Sequence, residues 1–124
     1  MILVDTSVWI DHLRRGDASL THVLQTGLVL CHPFVIGELA CGHLRQRAQV
    51  LGAMSALPFA PVATHREALV FVERHALAGH GIGWVDAHLL ASTALAGGAK
   101  LWTHDKRLAG IASDLGLAWH ATQS

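Results

Sequence analysis

The stretch MILVDTSVWIDHLRR (residues 1–15) decides how the rest of the chain is read. Ile2, Leu3 and Val4 are three consecutive apolar residues, the length and character of a short strand buried on both faces. Asp5, Thr6 and Ser7 follow, and then Val8, Trp9 and Ile10 resume with the spacing of a helix, so that a helix is expected over 6–14. A carboxylate at a strand-to-helix junction reads in two ways. Aspartate is a preferred N-cap, and it is also the residue a parallel sheet presents where its ligands bind. The remainder of the chain has to choose between them.

Further on, short apolar runs continue to alternate with helical patterns. Asp17 is placed to cap a helix through Leu20, Val23 and Leu24 that stops at Gly27. LVLC (28–31) reads as a second buried strand, and Pro33 as the first turn of a helix carrying Glu38 and Leu39. THRE (64–67) is a capping box that opens a helix through Leu69, Val72 and Leu77. GHGIG (79–83) is a connector that lacks the Lys-Ser/Thr pair of a phosphate loop. A helix is expected over 84–96, a strand over 99–103, a helix over 105–116 and a last strand over 117–119. Strands that alternate with helices imply an α/β fold with a mainly parallel sheet covered on both faces.

The totals set bounds. A chain of 124 residues is expected to form one domain spanning 1–124. Apolar residues make up 52% and charged residues 15%, against a usual charged fraction of about 25%. So small a domain cannot hide this much apolar surface, which predicts a homodimer, a protein partner, or both. No apolar run is long enough to span a membrane, and no basic, cleavable leader opens the chain. A cytoplasmic protein is therefore expected, with Cys31 and Cys41 as reduced, buried thiols. Net charge is zero with neutral histidines, so nucleic acid cannot be held by bulk charge alone.

The acids make the choice at Asp5. Of nine, Asp17 and Glu67 suit caps, Glu73 and Asp114 suit exposed helix faces, and Asp11 is expected to be solvated. Asp5, Glu38, Asp86 and Asp105 each fall at the end of a strand or near a helix start that faces the same sheet edge. Glu38 (in FVIGELAC) and Asp86 (in WVDAHLLA) have apolar neighbours in the sequence, and a carboxylate in such surroundings needs a partner. Lysines and arginines near these positions are too few to neutralise four acids. A divalent cation can do so, and an all-carboxylate donor set suits Mg²⁺ or Mn²⁺ better than Zn²⁺. Such clusters hydrolyse phosphodiesters.

VDTSVWI, VIGELACG, WVDAHLLASTAL and LWTHDKRL, in this order, resemble the PIN-domain ribonucleases and, within them, the VapC toxins of bacterial toxin–antitoxin pairs. The resemblance covers essentially the whole chain. It implies a three-layer α/β/α sandwich, a metal-dependent endoribonuclease, an RNA substrate and a small antitoxin partner. It also implies metal-binding and catalytic roles for Asp5, Glu38, Asp86 and Asp105, supported by Thr6 and Thr103. The further acid or aromatic that many relatives carry after the fourth position is replaced here by Lys106, Arg107 and Leu108, so Asp105 is expected to reach metal through water. Basic pairs trail three of the acid motifs: Arg14 and Arg15, Arg45 and Arg47, Lys106 and Arg107. They are candidates to hold RNA phosphates around an acidic pocket. Two other readings explain less. A receiver-type Mg²⁺ phosphoacceptor wants paired acids after its first strand, where Asp5 stands alone. A non-catalytic interaction module leaves Glu38 unexplained, because it lies too far into its helix to cap it.

Overall fold

The computed structural model describes residues 1–120. Strand β1 (Ile2–Val4) leads into α1 (Thr6–Arg15) and α2 (Ala18–Gln25), then β2 (Val29–Leu30) and α3 (Pro33–Ala40). Helices α4 (Arg47–Ser55), α5 (His65–Arg74) and α6 (Trp84–Leu95) precede β3 (Lys100–Trp102) and α7 (Lys106–Asp114). The sheet is parallel, in the order β2-β1-β3, with Leu3 paired to Leu30 on one side and Leu101 on the other. Ile2, Leu3 and Val4 are all buried. Successive strand residues point to opposite faces, so both faces of the central strand are covered, as the α/β/α expectation requires.

The caps follow the chemistry. Asp17 accepts from the Leu20 N–H at 3.1 Å, and Thr64 and Glu67 form the reciprocal box expected of THRE. Helix α6 is the central one: Ala87 through Thr93 are all buried, which explains its alanine-rich, weakly amphipathic sequence.

Several expectations need correction. Helix α4 was not anticipated, because it starts from Gln46 in a left-handed conformation with no side-chain cap, contains Gly52 and buries only Met54. The strand expected over 28–31 is shorter: Cys31 makes only an isolated parallel bridge to Phe59. The strand expected over 117–119 is likewise a single bridge between Leu101 and Ala118, held by Leu101 N–H donating to the Leu117 carbonyl and Trp119 N–H to that of Leu101. Leu69 faces solvent while Ala68 is the residue α5 buries, and Leu77 is buried beyond the helix end. Of the two thiols, Cys31 is buried and Cys41 exposed, and both are free. No helix among the described residues is long and apolar enough to cross a membrane.

Candidate active site

Asp5 ends the central strand, its N–H donating to the Trp102 carbonyl of β3 at 2.9 Å. It occupies the N-cap position of α1, yet its side chain makes no capping hydrogen bond. The carboxylate turns instead toward the β3–α7 corner, where Oδ2 accepts from Ser7 Oγ at 2.8 Å and Thr103 Oγ1 at 2.7 Å. Asp5 is buried, and a buried carboxylate held this way keeps a fixed direction. Ser7 Oγ also accepts from the His104 N–H, and Thr103 Oγ1 from the Asp105 N–H, each at 3.0 Å. One hydroxyl-rich corner thus joins Asp5 to Asp105 across 100 residues of sequence.

The other acids are held from neighbouring elements. Thr6 Oγ1 donates to Glu38 Oε1 at 2.6 Å, tying α1 to α3. Asp86 Oδ2 accepts from the Gly83 N–H at 3.3 Å at the start of α6. Asp105 Oδ1 caps α7 by accepting from the Leu108 N–H at 3.0 Å. The apolar sequence around Glu38 does not enclose it: Glu38 and Asp105 are exposed, and Asp86 is partly buried. Burial raises the pKa of Asp86, against the opposing Gly83 N–H, and the charges of Asp5, Asp105 and Glu38 raise it further. All four acids therefore share one field.

A common pattern runs through this set. Each carboxylate has one oxygen anchored by a protein donor, and its second oxygen accepts no hydrogen bond among the described residues. Among those residues the only ion pairs join Asp11 to Arg15 and to His104, so no basic nitrogen lies within 4.0 Å of any of the four. An anchored carboxylate with a free oxygen is the donor that a hard cation takes. No three histidine, cysteine or acidic side chains among the described residues converge closely enough to hold an ion by themselves. Mg²⁺ does not require that, because it keeps several waters and takes one or two carboxylates. The donor set fits it.

Three residues at this corner, Ser7, Asp11 and His104, carry contacts to which the sequence assigned no site role. Ser7 bridges Asp5 and the β3–α7 loop, as described. Asp11, expected to be solvated, accepts at Oδ2 from His104 Nδ1 at 2.5 Å and pairs with Arg15 at 3.5 Å. The His104 hydrogen bond is the main cause of the lowered Asp11 pKa. Asp11 and His104 lie 93 residues apart, so only their fold places them together. The position of Ser7 directly after Asp5-Thr6 was a local signal that could have been used.

The basic pairs divide. Arg47 donates to the Ala40 carbonyl at 2.5 Å and the Gly42 carbonyl at 3.4 Å, closing the C-terminal end of α3 while remaining exposed. Arg15 is exposed beside Asp11. Arg14 and Arg45 border a groove of about 1030 Å³ that also touches Glu38, with Ile10, Leu13, Leu44 and Val50 as apolar lining. Lys106 and Arg107 are exposed at the start of α7.

A family model described as the PIN domain matches residues 2–113. Ribonuclease VapC32, from two strains of Mycobacterium tuberculosis, is 53% identical to this chain over 118 residues, which is 95% of either protein.

Proposed function

The chain belongs to the PIN-domain family, and we propose that it cleaves RNA phosphodiester bonds as a divalent-metal-dependent endoribonuclease, the toxin of a toxin–antitoxin pair. The observation that carries this reading is the field shared by Asp5, Glu38, Asp86 and Asp105, with no basic nitrogen within 4.0 Å of any of them among the described residues. The name ribonuclease, carried by relatives with 53% identity along nearly the whole chain, supports the choice of RNA.

Asp5, Glu38 and Asp86 would hold Mg²⁺, or Mn²⁺ in its place, with Asp105 reaching it through water. When bound, the ion supplies a water acidified enough to attack phosphorus at neutral pH and charge to offset the leaving oxygen. The protein's part is positioning. Ser7 and Thr103 hold the Asp5 carboxylate, and Thr6 holds Glu38. Arg14 and Arg45, in the groove beside Glu38, and Arg15, Lys106 and Arg107 would offer cations to phosphate oxygens.

The apolar groove between α1 and the segment after α3 suits the antitoxin. Its walls are Ile10, Leu13, Leu39, Leu44 and Val50, and Glu38 lies at its border. An apolar segment could fill it while one cationic side chain met the acids in place of the metal. The test is to map cut sites on total cellular RNA with Mg²⁺ and with EDTA. Discrete cuts that vanish in EDTA are expected; cutting that continues unchanged in EDTA would overturn the metal mechanism.

A further inference from the structure

Trp84 is a large aromatic residue left in solvent beside the acids. It opens α6 two residues before Asp86, and 39% of it is exposed. Its ring is braced. His88, one turn along and buried, meets it at right angles with centroids 4.6 Å apart. Phe34 packs on His88 at 4.8 Å, and His65, the first residue of α5, sits 5.2 Å from the indole. Phe34 lies one turn before Glu38 on α3, so residues at i and i+4 share that helix face. The ring contacts therefore lead from the Glu38 face of α3 to the start of α6.

A cation is seated on the loop entering this helix. The Arg107 side chain lies so close over Gly81 that a Cβ there would come within 2.5 Å of Nη1 and 3.2 Å of Cζ. Gly81 has φ +80°, a conformation that also favours glycine. Arg107 itself follows Asp105 by two residues. A guanidinium lying over Gly81 and a braced, half-open indole thus adjoin two of the acid-bearing corners. Bases stack on such rings whatever their identity, and neighbouring phosphates take arginine.

We infer that Trp84 is the platform on which a base of the RNA strand stacks beside the cleavage position, with Arg107 contacting an adjacent phosphate. The inference rests on the endoribonuclease reading. Among protein-binding alternatives, a second copy of the chain would use the aliphatic residues Val70 and Leu95. Leu95 lies three helical turns from Trp84, about 16 Å along the axis. The rings that meet the indole are instead the histidines His65 and His88.

The experiment measures affinity for a labelled single-stranded RNA pool of random sequence, in EDTA, by fluorescence anisotropy over a salt series. Trp84→Leu keeps apolar bulk but removes the ring, and should weaken binding about tenfold without changing the salt slope. Trp84→Phe should stay within about twofold of the wild type, because a smaller ring still stacks. Arg107→Gln should lower the salt slope by about one, as loss of one phosphate contact does. Trp84→Met provides a second ring-free variant should the leucine protein fail to fold. Ring-free variants that bind like the wild type overturn the platform while leaving the nuclease reading intact. A changed sedimentation coefficient with unchanged RNA affinity would assign the indole to a protein interface and overturn it too. A wild type that binds no RNA would overturn the platform, whereas the nuclease reading stands or falls on the cuts seen with Mg²⁺ and lost in EDTA.

Discussion

At the scale of single residues, the four carboxylates differ in burial and therefore in what their loss should do. Asp5→Asn, Glu38→Gln and Asp86→Asn should each abolish Mg²⁺-supported cleavage while the fold survives. Asp105→Asn should cost less, because its proposed contact is through water and an asparagine still caps α7. Asp86 also makes a prediction about stability. Its pKa is raised in the folded chain by burial and by three like charges, so the folded state binds more protons than the unfolded state above pH ~4. Stability of the metal-free protein should therefore fall as pH rises through that window. Asp86→Asn removes the cost, and its metal-free melting temperature should equal or exceed that of the wild type. Mg²⁺ at a hundredfold excess over its dissociation constant should stabilise the wild type by about 2.7 kcal/mol, and the variant far less. Equal responses to Mg²⁺ in the two proteins would place the cation elsewhere. The placement of Asp5 was legible because an acid between a buried strand and a hydroxyl pair is conspicuous. The partnership of Asp11 and His104 was not, since nothing local tells a helix which of its polar side chains will face a loop 93 residues away.

At the scale of elements, α3 begins on a histidine used as a cap. His32 is fully buried; Nδ1 accepts from the Phe34 N–H at 3.0 Å, and Nε2 lies 3.1 Å from Ser92 Oγ of α6. Accepting at Nδ1 requires the proton on Nε2, which then donates to the serine, so the ring serves as a neutral tautomer. Burial, aided by the charge of His88, lowers its pKa to about 4. The unfolded chain binds this proton more readily between pH 4 and 6.5, so the contribution is complete above 6.5 and is lost as pH falls through that window. The full loss amounts to at most roughly 3 kcal/mol. Urea unfolding across this range should show a steeper decline in the wild type than in His32→Asn, which can still cap but does not titrate. Matching slopes would show that other groups control the acid limb. Elements whose ends carry side-chain caps, such as α2 and α5, were legible in the sequence. Helix α4 was not, because its start relies on a left-handed Gln46 and its packing on Met54; the segments at 28–31 and 117–119 came out shorter, the second a single bridge, because their pairing depends on distant backbone rather than on local pattern.

At the scale of the molecule, the apolar surplus is visible as exposed side chains on α5 and α6: Leu69, Val70 and Leu95 are each nearly half open to solvent. Val70, Phe71, Ala91 and Leu95 also line a hollow of about 430 Å³. Such a face suits a homodimer, for which about 800 Å² per partner is typical, roughly a tenth of this chain's 7196 Å² surface. Sedimentation should find a dimer at tens of micromolar, and Val70→Asp should shift it toward monomer. A wild-type monomer at that concentration would leave the apolar face to another protein.

The parallel pairing of β1 with β3 has a consequence in time. Asp5 is made 98 residues before its partner Thr103, and β1 correspondingly long before β3. Until they emerge, β1 has a neighbour on one side only, and the Asp5 carboxylate lacks one of its two hydroxyl donors. Non-local pairing of this kind must wait for the chain that supplies it. An unfinished copy cannot assemble the corner that also carries Asp105. On the proposed endoribonuclease reading, a growing chain that has not yet reached Thr103 and Asp105 would lack the corner needed to cut RNA.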